Sequence, residues 1–268
     1  MRRQWSAVAG LLVVVLAACS GSGPASARGR GATADLTVYA AASLKTALDR
    51  VKTAYEAATP GTTISISTDS SAALETKIEQ GAPADVFLSA DMTNPQRLVD
   101  GGFASGDVVP FAGNQLTVIV PESNPAGITK PADLARRGIK IVAAGVGVPI
   151  QKYAESLVAN LARQPGYPSD FVNRYEANIV SREDNVGAVL AKVALGEGDA
   201  GIVYVTDARS SPTVTAIAVP AAANVPATYG GVVVKASPSQ AAAGAFLAWL
   251  AGPQGQSILA SLGFLPAP

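Results

Sequence analysis

Short apolar runs alternate with amphipathic segments from Asp35 onward, and this alternation limits the possible folds more than any other feature of the chain. The runs at 36–39, 64–67 and 86–88 have the length of buried strands. The segments between the runs repeat apolar residues at helical spacing. Strands that alternate with helices are typical of sheets with helical crossovers. The first half of the chain is therefore predicted to form an open α/β sheet.

The second half of the chain repeats the same layout without repeating the sequence. Apolar runs at 116–120, 139–143 and 201–204 predict strands, and helical spacing covers 151–161 and 186–195. We therefore expect two open α/β sheets with a cleft between them.

The N-terminal segment carries the features of export. Arg2 and Arg3 precede an apolar run that is too short to span a bilayer, which needs about 20 residues. This pattern predicts a signal peptide over 1–18. The stretch Leu-Ala-Ala-Cys resembles the lipobox of bacterial lipoproteins, which implies that Cys19 is acylated and anchors the chain to the cell membrane. An ordinary signal peptide or a buried thiol is the alternative interpretation.

The residues that follow Cys19 are small and polar. The segment 19–34 is rich in glycine and serine and has no apolar periodicity, so a flexible linker is expected there. The working part of the protein would then lie outside the cytoplasm.

The composition excludes several classes of function. The chain has no histidine, so a Ser-His-Asp or Cys-His catalytic arrangement and a His-ligated metal site are impossible. The chain has 20 basic residues (lysine and arginine) and 20 acidic residues (aspartate and glutamate), so its formal net charge is zero. The absence of a positive net charge disfavours nucleic acid as a partner. Carboxylate pairs are still available for acid–base chemistry.

Polar residues stand where the predicted strands meet the following helices. In open α/β sheets, ligands bind beyond the carboxyl ends of the strands. Ser43 and Ser71 begin helices after the first two strands, the segments 145–150 and 182–185 precede helices, and Tyr204 ends a strand. Because serine is also a favoured helix N-cap, the pattern alone favours a purely structural capping role for either serine.

Several motifs together resemble the periplasmic molybdate-binding proteins of ABC importers, the ModA family. The most specific motif is the run Gly-Ala-Pro-Ala-Asp-Val-Phe-Leu-Ser-Ala-Asp at 81–91. The other matching segments, in chain order, are 38–44, 70–71, 183–185, 201–204 and 252–254.

The resemblance implies a fold and a site. The fold is the two-lobed type II periplasmic-binding-protein fold, in which each lobe is an open, mostly parallel sheet flanked by helices. The site is a cleft for a tetrahedral oxyanion, molybdate or tungstate. Its contacts carry over to the hydroxyls and backbone N–H groups of Ser43 and Ser71, the backbone N–H groups near Ile150 and Asn185, and the Tyr204 hydroxyl. No catalytic residue, direct metal ligand or cofactor is implied.

The resemblance also implies the domain organisation of the chain, its oligomeric state and its partner protein. We expect a monomer that delivers its ion to an ABC permease, with hinges near 114–116 and 220–226. The expected lobes are 35–114 plus 224–268 for lobe 1 and 115–223 for lobe 2.

Other functions remain open at this point. Sulfate has the same charge and shape as molybdate on a smaller scale, and phosphate would need an acceptor carboxylate such as Glu183, Asp184 or Asp69. Asp69 is expected to face away from a bound dianion or to be neutralised. An enzyme would need a carboxylate pair, for which Asp85 and Asp91 are the candidates, although Asp85 is expected to brace a turn. A structural lipoprotein would bind no small ligand.

Overall fold

The computed structural model describes residues 34–268, so the predicted signal peptide, Cys19 and all but the last residue of the predicted linker lie outside the described residues. The strands are β1 Ala34–Ala41, β2 Thr62–Asp69, β3 Val86–Ser89, β4 Ala104–Asn114, β5 Leu116–Pro121, β6 Ile141–Ala144, β7 Ile179–Glu183, β8 Ala200–Tyr204, β9 Val214–Ile217 and β10 Ala227–Val234. The helices are α1 Lys45–Ala58, α2 Ser71–Glu79, α3 Thr93–Asp100, α4 Pro149–Leu161, α5 Phe171–Ala177, α6 Val186–Ala194, α7 Val205–Ser210, α8 Gln240–Ala251 and α9 Pro253–Ser261. Short 3-10 helices cover Ala42–Leu44 and Pro131–Ala135. In the described part of the chain, no helix combines the length and apolar character needed to cross a membrane.

The strands form two five-stranded sheets. The first has the order β2-β1-β3-β10-β4 and the second the order β7-β6-β8-β5-β9. Helices α1–α3, α8 and α9 pack on the first sheet to form lobe 1, and α4–α7 accompany the second sheet to form lobe 2. The predicted two-lobed α/β class is confirmed.

Each sheet is mixed, whereas the sequence predicted mostly parallel sheets. In the first sheet β1 pairs in parallel with β2 and β3, while β10 runs antiparallel to both β3 and β4. In the second sheet β5 runs antiparallel to both β8 and β9. The reason is that β10 and β5 are reached by a crossing from the other lobe and not by a helical crossover within one sheet, which is the connection that makes neighbouring strands parallel.

The core of lobe 1 follows from the periodicity of its first two elements. In β1, Leu36, Val38 and Ala40 are buried at alternate positions, as a strand with one face on the core requires. In α1, Val51 and Tyr55 are buried on one helical face, and Tyr55 packs edge-on against Phe246 and Trp249 of α8.

Strand register aligns the helix starts at one edge of each sheet. In lobe 1, Ala41 at the end of β1 lies opposite Asp69 at the end of β2. In lobe 2, Ala144 at the end of β6 lies opposite Glu183 at the end of β7. The segments that follow these strand ends are therefore neighbours.

Two edge strands were not predicted from the sequence. The strand β4 contains Gly106 and Pro110, which are typical of loops, but an edge strand tolerates proline because one of its sides forms no ladder. Its pairing with β10 shows register shifts near Pro110. The strand β7 is only partly buried, so its sequence lacks a continuous apolar run.

The two segments that join the lobes are hydrogen-bonded to each other. The chain passes from β4 to β5 at Asn114–Leu116 and returns between β9 and β10. The Asn224 amide donates to the Leu116 carbonyl at 2.8 Å, and its oxygen accepts from the Leu116 N–H at 3.1 Å. These bonds hold the crossing segments side by side.

Candidate functional site

All five residues predicted to bind the ligand line one small cavity between the lobes. Ser43 and Ser71 come from lobe 1, and Ile150, Asn185 and Tyr204 come from lobe 2. Further lining residues that the prediction did not include are Ala41, Ala42, Ser70, Ala90, Val148, Pro149 and Val186. The free volume is about 10 Å³, room for about one water-sized sphere. A ligand of several atoms therefore needs a larger cavity than this structure shows.

The lobe 1 wall includes two of the predicted residues, both serines at helix starts. Ser43 lies in the 3-10 turn ahead of α1 and is 8% exposed, and Ser71 is the first residue of α2 and is fully buried. The residue that caps α2 is Ser70, whose Oγ accepts from the Ala73 N–H at 3.2 Å. Ser71 Oγ accepts from the Ala90 N–H at 3.1 Å, so the hydroxyl proton of Ser71 is still available for a ligand.

The lobe 2 wall includes the starts of the helices α4 and α6. Ile150 is the second residue of α4, and its N–H belongs to the first turn, whose N–H groups have no acceptor within the helix. Asn185 caps α6, and its Oδ1 accepts from the Ala188 N–H at 3.0 Å. The Asn185 side chain therefore has a local structural role, and a contribution to a ligand falls to backbone N–H groups at this helix start.

Tyr204 lines the cavity and carries a buried hydroxyl. It ends β8, its side chain is 1% exposed, and its oxygen has no hydrogen-bond partner among residues 34–268. Burial raises the pKa of Tyr204 well above its usual value, so the phenol stays protonated and can donate. A buried hydroxyl without a partner costs about 1–3 kcal/mol. A residue that lines the cavity thus carries a donor without an acceptor among residues 34–268.

The electrostatics of the cavity come from dipoles and not from charged side chains. No residue among those lining it in the described chain is charged. The helices α2, α4 and α6 all begin at the cavity, where the positive ends of their dipoles favour an anion. The site is therefore rich in donors, and its lining offers an anion no side-chain countercharge.

The nearby carboxylates are occupied elsewhere. Asp69 accepts from the Ser70 N–H at 2.8 Å and pairs with Lys77 at 3.0 Å, so it is neutralised as expected. Glu183 pairs with Lys192 at 2.7 Å. Burial opposes ionisation of Glu183, but the hydrogen bonds from Lys192 and Ser181 hold its pKa below the usual range. Neither carboxylate lines the cavity.

The two candidate carboxylates of an enzyme lie at opposite ends of one strand. Asp85 precedes β3 and Asp91 follows it, and four strand residues span about 13 Å. Asp85 accepts from the Thr37 N–H at 2.7 Å and from the Ser237 hydroxyl at 2.5 Å, which braces the turn. Asp91 accepts from Ser89 and Asn94. They do not form the predicted alternative of a catalytic pair.

Within residues 34–268, no three carboxylate, cysteine or histidine side chains are grouped closely enough to hold a metal ion.

Two lobes joined by two crossing segments, with helix starts from both lobes at an uncharged cavity, define a solute-binding protein. The chain belongs to the family of bacterial extracellular solute-binding proteins, which it matches over residues 36–265.

Comparison with curated proteins shows which members of this family the chain is similar to. The chain is 34% identical to the molybdate-binding protein ModA of Mycobacterium tuberculosis, over 96% of this chain and 95% of the relative. It is 30% identical to the Bacillus subtilis protein YvgL, provisionally named an ABC transporter substrate-binding lipoprotein, over 85% of each chain. The resemblance to the ModA family found in the sequence is confirmed.

Solved structures establish the same fold. The periplasmic molybdate-binding protein of Azotobacter vinelandii is 24% identical with a TM-score of 0.73, over 86% of this chain and 98% of the other. The sulfate-binding protein SubI of Mycobacterium tuberculosis is also 24% identical, with a TM-score of 0.76 over 87% and 86%. Because both structures share the fold, the choice of ligand has to be argued from the cavity.

Proposed function

We propose that this chain is an extracytoplasmic receptor that binds molybdate, and also tungstate, between its lobes and delivers the ion to an ABC import permease. The observation that carries the proposal is the Tyr204 hydroxyl, buried at the cavity without an acceptor in residues 34–268. An oxyanion supplies that acceptor. The names of the relatives support molybdate as the ion.

A fully deprotonated dianion suits this cavity because it only accepts hydrogen bonds. The hydroxyls of Ser43, Ser71 and Tyr204 and the N–H groups at the helix starts all donate. A hydrogen bond to a charged group contributes about 1.5–3 kcal/mol. Five to seven such bonds, less the cost of association, correspond to about −10 to −12 kcal/mol, the submicromolar to nanomolar range.

Phosphate is a weaker candidate for the same reason. Near neutral pH it carries a proton, and that proton needs an acceptor in the site. The possible acceptors Asp69 and Glu183 are paired with lysines, and Asp184 is not among the lining residues. Sulfate remains the second candidate, because it carries no proton and SubI shares the fold. The size of the cavity in the closed, ligand-bound state decides between sulfate and molybdate.

The experiment that tests the proposal is calorimetric titration of the purified chain with molybdate, tungstate, sulfate and phosphate. We expect near one-to-one, submicromolar binding of the first two ions and little heat from the others. Preference for sulfate would keep the transport role and change the substrate. No binding of any of the four ions would overturn the proposal.

Membrane attachment is part of the same proposal. The lipobox and the name of the Bacillus subtilis relative support acylation of Cys19. Cys19→Ser should move the protein from the membrane fraction to the soluble fraction without changing its affinity for molybdate. A variant that stays in the membrane fraction would refute the anchor.

Replacing Tyr204 by phenylalanine is expected to change affinity and stability in opposite directions. Loss of a donor to a charged ligand should raise the Kd for molybdate about 10-fold to 100-fold. Loss of a buried hydroxyl without a partner should leave the ligand-free protein equally stable or about 1 kcal/mol more stable. Titration and denaturant unfolding measure the two effects. Destabilisation of the ligand-free variant would show that the hydroxyl has a structural partner.

A further inference from the structure

A chain of buried hydrogen bonds leads from the junction of the lobes to Ser43. The Ser43 and Tyr229 oxygens are 2.9 Å apart, and Asn114 Nδ2 lies 3.3 Å from the Tyr229 oxygen. The same amide nitrogen lies 2.8 Å from Thr206 Oγ1, in α7 of lobe 2. Tyr229 is fully buried, Asn114 is 1% exposed and Thr206 is 6% exposed. Water therefore does not compete for these bonds.

The direction of each bond in this chain follows from the amide group. Asn114 Oδ1 accepts from the Gln115 N–H at 2.9 Å, which identifies the other end of the amide as the nitrogen that faces Tyr229 and Thr206. An amide nitrogen only donates, so the Tyr229 oxygen accepts from Asn114. The Tyr229 proton then goes to its remaining partner, Ser43 Oγ, and the proton of Ser43 is left for a ligand in the cavity that Ser43 lines.

We propose that Tyr229, oriented by Asn114, is a positioning residue that fixes the Ser43 hydroxyl as a hydrogen-bond donor and thereby favours oxyanions without a proton. This inference rests on the proposed function. The second serine is set in the same way, because Ser71 Oγ accepts from the Ala90 N–H. With each serine oxygen already accepting one bond from the protein and its proton left for the ligand, each has a single lone pair left, which makes both serines poor acceptors for a P–O–H group. Burial raises the pKa of Tyr229 well above its usual value, which keeps its proton in place.

A double-mutant cycle between Tyr229→Phe and Ser43→Ala tests whether Tyr229 acts through Ser43. With Ser43 present, Tyr229→Phe should raise the Kd for molybdate about fivefold to tenfold. In the Ser43→Ala background the same change should raise it less than twofold. Tyr229→Phe should also lower the ratio of molybdate to phosphate affinity, because the freed Ser43 oxygen can accept the phosphate proton. Calorimetric titration measures all of these values on the purified full chain.

Two further variants separate positioning from folding. Tyr55→Phe removes another buried phenol, which packs on Phe246 and Trp249 of α8, and should leave the Kd for molybdate unchanged. Asn114→Leu keeps the Tyr229 hydroxyl but removes the donor that sets its direction. It should lower the ratio of molybdate to phosphate affinity as Tyr229→Phe does, and it serves as the test if Tyr229→Phe does not fold.

Equal losses from Tyr229→Phe in both Ser43 backgrounds would overturn the positioning role while leaving the proposed function intact. An unchanged affinity ratio in both Tyr229→Phe and Asn114→Leu would do the same. Absence of oxyanion binding by the unaltered chain would instead overturn the proposed function, and this inference with it.

Discussion

Replacing Ser43 and Ser71 together by alanine is expected to weaken molybdate binding at least about a hundredfold. Both serines line the cavity from lobe 1, and under the proposed function each supplies a hydroxyl donor to a charged ligand, which contributes about 1.5–3 kcal/mol. The pair therefore accounts for about 3–6 kcal/mol, more than a hundredfold in Kd even at the lower limit. The cavity has no lysine or arginine among its lining residues to compensate.

The matched control is Asn185→Ala, which changes a polar residue of the same cavity. Its side chain caps α6, so the variant should lose about 1 kcal/mol of stability. Its backbone N–H groups remain, so the Kd should stay within about threefold of the original value. Titration gives the affinities, and thermal unfolding checks that all variants fold. Near-normal binding by the double serine variant would show that neither hydroxyl contributes to molybdate binding.

Replacing Asp207 by asparagine is expected to change how stability depends on pH. Asp207 lies in α7, is 7% exposed, and accepts from the Tyr204 N–H at 3.1 Å. Burial raises the pKa of Asp207 to about 7. Between about pH 4 and 7 the native carboxyl keeps a proton that the unfolded chain has released, so the free energy of unfolding falls as pH rises through this range. A difference of about 3 pKa units corresponds to about 4 kcal/mol.

Asparagine keeps an oxygen for the Tyr204 N–H and does not titrate. The stability of Asp207→Asn relative to the unaltered protein should therefore be lowest below about pH 4 and rise by up to about 4 kcal/mol near pH 8. Denaturant unfolding across this range measures the difference. Asp170→Asn, which removes an exposed carboxylate paired with Arg174 at 2.8 Å, should show no such gain. Parallel stability curves for Asp207→Asn and the unaltered chain would contradict the buried titration.

The sequence predicted the positions of the five cavity residues because they are tied to local signals. Four of them lie at helix starts (Ser43, Ser71, Ile150 and Asn185), and Tyr204 ends an apolar run. Short-range patterns and a family resemblance were therefore sufficient to locate them. The two-lobed fold was predictable for the same reason, since its strands and helices alternate regularly. The edge strands β4 and β7 were missed because partial burial leaves little periodicity in their sequences.

The features that set the chemistry depend on contacts between distant parts of the chain. Ser43 meets Tyr229 across 186 positions, and the Asn114 amide meets Thr206 across 92. No sequence pattern marks these pairs, because neither partner stands in a motif that requires the other. The pKa of Asp207 and the unsatisfied hydroxyl of Tyr204 likewise follow from burial by packed neighbours, which a single sequence does not give.

The place of β10 in the first sheet has a consequence for how the molecule forms. The strand lies between β3 and β4 but is made after every strand of the second sheet. Strands β6 and β7 pair across 38 positions (Ile141 to Ile179), whereas β4 pairs in its sheet only with β10, across 113 positions (Asn114 to Ala227). Closing the longer segment is slower, so we expect pulse-labelling hydrogen exchange during refolding to detect protection in β6 and β7 before protection in β4. The binding site would then be assembled last, when the C-terminal strand completes lobe 1.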